Sequence, residues 1–344
     1  MSQPSRPVRI GIVGAGIRGS LFARSISQHP DATVVAICDR AEALARALAV
    51  EHDARSFTDH RELLAAGLEL DALVVATPDF AHRDVAVDAA QAGLHLLIEK
   101  PLATTTDDAR AITDAVERAG VKCVVGFENR WNPRFVAAKE LIDAGSLGTV
   151  LTQVAHLHDT VFVPTEMLSW AGRSSPAWFL MPHTLDLLLW LTGKQVVSVY
   201  ATGVKQHLVG RGVDTWDSVD ASLTFTDGTT ATLHSAWVLP VSHPAVYDLR
   251  VELVGTESAL RIQGADQGVH LFSDQLRWAQ WGTFVKDGRL QGFPVEMAVS
   301  FIDHLLGRIT DIPGLADGLV VTRVISAIDR SLASGQPEPV ADPA

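Results

Sequence analysis

Val8-Arg9-Ile10-Gly11-Ile12-Val13, followed at once by Gly14-Ala15-Gly16-Ile17-Arg18-Gly19, is the stretch on which the fold turns. The first six residues form a short apolar run bounded by turn residues and predict a strand. The next six predict a tight turn that opens a helix. Gly14 and Gly16 permit the turn and the close approach of a pyrophosphate, Gly19 lets the helix lie against a sheet, and the helix N-terminus attracts negative charge. Ile17 and Arg18 complete the cofactor-facing loop. Asp39 closes a second apolar run over residues 33–38. An acid at that distance from the glycines accepts hydrogen bonds from an adenosine ribose. Its carboxylate welcomes the free hydroxyls of NAD and repels the 2′-phosphate of NADP. Arg40 beside it works the other way, since a guanidinium pairs with that phosphate or stacks on adenine. The pair predicts NAD, with NADP the weaker ligand.

Outward from this start, short apolar runs at 73–76, 95–98 and 122–126 alternate with helical patterns at 41–50, 83–92 and 107–119. Strands that alternate with helices predict right-handed βαβ units around a parallel sheet covered on both faces. After Phe127 the character changes. One helical pattern over 133–144 leads into longer strand patterns at 150–158, 196–207, 220–225, 229–238, 248–254 and 259–263. Asp227-Gly228 separates two of them, a pair favoured in type I′ hairpins. The expected fold is α/β: an N-terminal Rossmann dinucleotide-binding domain over residues 1–127, then a C-terminal α+β domain over 128–344 with a large, mostly antiparallel open sheet.

A length of 344 residues exceeds what one core usually serves, and 47% hydrophobic with 20% charged residues fits a folded protein. The formal charge of −12, with no basic cluster, disfavours nucleic acid and anionic membranes. No apolar run reaches the roughly 18 residues of a membrane span. The glycines after residue 10 exclude a secretory signal, so the expected location is the cytoplasm. Cys38 and Cys123 sit in apolar strand patterns and are expected to be buried free thiols. No metal-ligand spacing occurs.

Ala76-Thr77-Pro78-Asp79-Phe80-Ala81-His82 follows the expected fourth strand, and Glu99-Lys100-Pro101 the fifth. With the glycine loop, Arg130, Pro133, the 145–148 turn and Asp317-Gly318, they resemble the Gfo/Idh/MocA family (glucose–fructose oxidoreductase, inositol dehydrogenase, rhizopine catabolism) over nearly the whole chain. The resemblance implies an NAD(P)-dependent dehydrogenase or reductase. It would move a hydride to or from a hydroxyl-bearing carbon of a sugar, cyclitol or sugar derivative, in a homodimer or homotetramer joined through the open sheet. It also implies that Thr77, Pro78, His82, Glu99, Lys100 and Arg130 meet the cofactor. Lys100 would hydrogen-bond the reacting hydroxyl, and Pro101 would fix the turn, where the sequence leaves the peptide bond free to be cis or trans.

The family's second catalytic element is an Asp-x-Gly-x-His run, and here it departs. Phe179-Leu180-Met181-Pro182-His183 keeps the histidine but places Phe179 at the aspartate position and Met181 at the glycine position. Pro182 suits the first helical position, which puts His183 in the first turn, where the helix dipole favours a neutral ring. Catalysis would then rest on Lys100 and His183, with Asp159, His156 or His158 as groups able to stand in for the aspartate; Asp186, three residues on from His183 along the helix, is with Lys100 and His183 a candidate substrate contact. Trp170, Arg173, Trp178 and Phe179 are candidate substrate contacts, since sugar C–H faces stack on rings. Two other functions fit the pattern. One is net non-redox sugar chemistry with tightly held NAD(H); the other is a regulatory dinucleotide-binding protein that has lost catalysis.

Overall fold

The structure is a computed structural model that describes residues 6–266, 268–274, 276–278 and 282–340. Six strands form the first sheet: β1 (Val8–Val13), β2 (Ala32–Cys38), β3 (Arg55–Phe57), β4 (Ala72–Val75), β5 (His95–Glu99) and β6 (Cys123–Gly126). Their order is β3-β2-β1-β4-β5-β6 and every pairing is parallel. That is the doubly wound order in which ligands bind beyond the carboxyl ends of the strands. The helices are α1 (Ile17–Ile26), α2 (Glu42–Glu51), α3 (His60–Ala65), α4 (His82–Gln91) and α5 (Thr106–Ala119). Ile10, Ile12, Leu73, Val74, Leu96 and Ile98 are fully buried, as strands covered on both faces require. The short β3 and α3 are absent from the sequence expectation. Arg55 and Ser56 of β3 are exposed, so this edge strand carries little of the apolar signal that betrays the others.

The second sheet contains β7 (Val150–Thr160), β8 (Val196–Val204), β9 (Ser218–Phe225), β10 (Thr230–Leu239), β11 (Tyr247–Gly255) and β12 (Ala259–Gln263). Its order is β12-β11-β7-β10-β9-β8, with a two-residue strand, Glu338–Pro339, on the β8 edge. All pairings are antiparallel except β7 with β10. The helices α6 (Pro133–Asp143), α7 (Pro176–Phe179) and α8 (Met181–Thr192) belong to the same half, and α8 packs against β7 and β10. Side chains alternate as a pleat demands. Ala155, Leu157 and Asp159 are buried, whereas His156 and His158 leave the other face of β7. The turn between β9 and β10 is not type I′. Of Asp227 and Gly228 only the glycine has a positive φ, +80°. Gly228 N–H donates to Phe225 O and Phe225 N–H to Thr229 O, which makes a three-residue loop with glycine at its left-handed position.

The chain does not divide once at residue 127. Over its described residues it forms two compact units, Met1–Glu128 with Gly282–Leu319 and Asn129–Trp281 with Val320–Ala344. The return is caused by α9 (Phe293–Leu305), whose buried face of Val295, Met297, Ala298, Phe301 and Ile302 packs on α1. The last helix, α10 (Leu315–Ser334), carries the second boundary. Both cysteines are free; burial pushes the Cys38 thiol up to about 12 and raises that of Cys123 as well. Among the described residues no helix is long and apolar enough to cross a membrane.

Candidate active site

In the first unit the glycine turn lies at the carboxyl edge of the sheet. A Cβ on Gly14 (φ +101°) would lie 2.3 Å from Ala76 O, and one on Gly19 would lie 1.7 Å from Gly14 O. These two glycines are demanded by packing. A Cβ on Gly16 would meet nothing within 4 Å, so the space before α1 is clear. Gly16 is also the N-cap of α1 and supplies no capping side chain, which leaves first-turn amides for an anion. The cradle fits a pyrophosphate. Thr77 adds a buried hydroxyl with no hydrogen-bond partner.

Asp39 follows β2, where the sequence placed it, and braces the turn itself. Its Oδ2 accepts from Ala15 N–H at 2.7 Å and its Oδ1 from Ala41 N–H at 2.8 Å. Arg40 is exposed. Asp39→Ala should therefore lower NAD affinity as well as narrow or reverse the preference over NADP, because the turn loses its brace. Calorimetric titration with both dinucleotides checks this; NADP bound more tightly by the unaltered protein would refute it.

Lys100 follows β5, and its bond to Pro101 is cis. Withdrawal from water pulls its ammonium below the usual lysine range, opposed chiefly by Glu99 and then Glu128. The two carboxylates are buried, and Arg18 serves both: its Nε donates to Glu99 Oε1 at 2.5 Å, and its Nη2 lies 3.6 Å from Glu128 Oε2. Glu99 Oε2 also accepts from Lys100 N–H at 3.1 Å. His82 is not presented to a ligand. Buried, it has its ring nitrogens 2.8 Å from Pro101 O and 3.0 Å from Thr77 O, and ties the two loops together.

In the second unit α8 begins at Met181, so Pro182 and His183 both sit in its first turn. His183 Nδ1 is 3.5 Å from Asn129 Nδ2, the outer limit of a hydrogen bond. Asp186, three residues on, is committed elsewhere: it accepts twice from Arg130, at 3.0 Å from Nε and 2.5 Å from Nη2. Arg130 and Asp186, expected as cofactor and substrate contacts, thus join each other and hold the Asn129 turn against α8. Phe179 packs between Trp170 (ring centroids 5.9 Å apart) and the buried Trp237 (5.6 Å). Trp178 and Arg173 line a separate cleft of about 370 Å³ with Lys205 and Trp216. The Trp178 indole N–H donates at 2.5 Å to Asp329, which lines the same cleft.

The groups considered as stand-ins for the aspartate separate by strand face. His156 and His158 stack on each other and leave the face opposite α8, and burial with neighbouring histidines lowers His158 to about 4. Asp159 lies on the helix-covered face. Glu128 and Asn129 were not singled out from sequence. Their signal was position alone: polar residues directly after an apolar parallel strand, where open α/β sheets place their ligands.

A family model described as "Oxidoreductase family, NAD-binding Rossmann fold" matches residues 8–127, and a GFO/IDH/MocA C-terminal domain model matches residues 135–261. An inositol 2-dehydrogenase of Rhizobium meliloti is 30% identical over 257 residues, 74% of this chain and 74% of that protein. A scyllo-inositol 2-dehydrogenase (NAD(+)) of Bacillus subtilis is 29% identical over 263 residues, 74% of this chain and 73% of the relative. Crystalline scyllo-inositol dehydrogenase from Lactobacillus casei, with bound NAD(H) and scyllo-inositol, superposes with a TM-score of 0.83 at 20% identity, over 98% of this chain and 100% of that one; it supports the fold. By both its domains, the chain belongs to the Gfo/Idh/MocA family of oxidoreductases, with an NAD-binding Rossmann fold at its N-terminal end.

Proposed function

We propose that the protein is an NAD-dependent dehydrogenase of cyclitols or closely related sugars, with Lys100 and His183 as its proton-handling residues. The observation that carries this is Lys100 itself: a lysine at the carboxyl edge of the parallel sheet, one strand removed from the glycine turn, with its ammonium destabilised by burial. The named relatives, dehydrogenases of inositols, support the substrate class. They lend nothing to the coupled-chemistry or regulatory alternatives.

When bound, NAD supplies the acceptor for the hydride that leaves the carbinol carbon. The chain's own residues manage the rest. Lys100 donates a hydrogen bond to the substrate oxygen and steadies its charge as the hydroxyl proton departs. His183, near the positive end of α8, accepts that proton as a neutral imidazole. Phe179 removes the family carboxylate and offers, with Trp170, an aromatic wall for C–H faces.

Copies associate through the face of the second sheet that α8 leaves uncovered. Support comes from Tyr200, Val204, Val154 and Val254, which stand exposed on that face. The free cysteines suit a reducing compartment such as the cytoplasm, and the net charge of −12 disfavours nucleic acid as a partner.

Incubating the purified protein with NAD and a panel of inositols, sugars and sugar acids, while following absorbance of reduced nicotinamide, tests the function. Turnover of at least one cyclitol is expected. No turnover of any member, or turnover with NADP alone, would overturn the reading.

A further inference from the structure

Helical hydrogen bonding runs on across the break between α7 and α8. Phe179 N–H donates to Ser175 O, Leu180 N–H to Pro176 O and His183 N–H to Leu180 O, and Leu180 keeps a right-handed helical conformation. Residues four apart on such a stretch share a face, and a helical side chain leans back over the turn before it. His183 therefore stands over the turn that carries Phe179. Phe179 in turn packs between Trp170 and Trp237, with ring centroids 5.9 Å and 5.6 Å away. Phe179 and Trp170 are half-buried and open to a ligand, whereas Trp237 is fully buried. The chemistry of these rings is one-sided. A phenyl ring brings no polar atom, and an indole nitrogen donates but never accepts. The Trp237 indole N–H is buried without a hydrogen-bond partner, so even the donor already there finds no acceptor. Asp159, buried on the same covered face of the sheet, leaves that N–H unmet.

We propose that Phe179 determines the substrate class of this site: a cyclitol or sugar whose ring position turned to Phe179 has no free hydroxyl, being deoxygenated there or carrying an ether oxygen. This rests on the dehydrogenase function proposed above, with His183 at the hydroxyl that reacts. A free hydroxyl turned to Phe179 and Trp170 gives up water and finds no acceptor for its hydrogen, and a buried unmet donor is costly. A methylene group presents only C–H, which the rings take up by stacking. An ether oxygen needs a donor at most, and an indole is a donor. The aromatic wall thus selects by rejecting the fully hydroxylated ring.

scyllo-Inositol suits the test, because its hydroxyls are equivalent and a single monodeoxy and a single mono-O-methyl derivative cover every register. In calorimetric titrations of the NADH-bound protein, both derivatives should bind about tenfold or more tightly than scyllo-inositol itself. Their kcat/KM with NAD should lead by a similar factor. Phe179→Asn supplies a neutral acceptor at the wall and should reverse the order, with the Trp237 N–H beside it to hold the new carbonyl. Phe179→Leu stays apolar and should keep the order, so it decides the matter with the parent protein should Phe179→Asn fail to fold. scyllo-Inositol bound as tightly as the two derivatives by the parent protein would overturn the proposal. So would an order that a folded Phe179→Asn leaves unchanged, or binding of none of the three compounds. The titrations need no turnover. A protein that reduces NAD with no cyclitol would defeat the proposed function while the binding order still decides the role of Phe179. Equal kcat/KM for all three compounds would defeat the role of Phe179 and leave the dehydrogenase standing.

Discussion

Lys100→Ala is expected to abolish measurable turnover while NAD affinity stays within a few fold. The two halves of that expectation have separate causes. The affinity is expected to come from the backbone of the Gly14–Gly19 turn, the open amides of α1 and the Asp39 brace, which alanine at position 100 leaves in place. Turnover needs a donor at the oxygen where negative charge develops, and losing one such group costs about 10²–10³ in rate. Lys100 also helps manage the proton, worth about 10²–10⁴ on its own, so the two losses together exceed either. Alanine further leaves Glu99 and Glu128 with Arg18 as the cation of the cluster, and two anions then compete for one guanidinium. Part of the effect would therefore appear as lowered stability. Thermal melting of the variant with and without NAD separates that part from the chemistry. If Lys100→Ala kept most of its kcat on a confirmed substrate, the lysine mechanism would not apply to this protein.

His183→Ala should cost about 10²–10⁴ in kcat, the usual worth of a general acid–base group. The geometry around it makes this a demanding claim. The resemblance in sequence implies an aspartate where this chain has Phe179, and Asp186 is bound twice by Arg130. What His183 does have is Asn129 Nδ2 at 3.5 Å and a place in the first turn of α8. An amide donor and a positive dipole end both favour a ring that is neutral and able to accept a proton. The activity in the oxidative direction should accordingly fall as pH drops through the imidazole range. His183→Ala should flatten that acidic limb as well as lower the plateau. A variant with a loss of only a few fold and an unchanged limb would show that proton transfer lies elsewhere, with Asp159 on the same covered face of the sheet as the first residue to examine.

Much of the first unit was legible beforehand, for a local reason. Gly14 and Gly19 are forced by contacts within one strand–turn–helix unit, and Asp39 ends the adjacent strand. The parallel order follows from short buried runs alternating with helical periods. In the second unit the long strands were legible too, because their apolar and polar residues alternate. The hairpin type was not: Asp-Gly suits two turns equally, and the backbone at Asp227 chose between them.

The sequence by itself determined the fold class, the cofactor end and the identity of Lys100 and His183 as candidates, since each depends on spacing along one chain segment. Tertiary structure alone decided the company these residues keep. Arg18 joins Glu99 and Glu128, Asp186 takes Arg130, and Trp178 turns to Asp329. Each partnership spans distant segments, and it is set by which face of a strand or helix a side chain leaves and which element passes beneath it. The return of residues 282–319 to the first unit has the same origin. An amphipathic helix such as α9 shows in sequence that it must bury a face, but the surface that receives it exists only once α1 has folded onto its sheet.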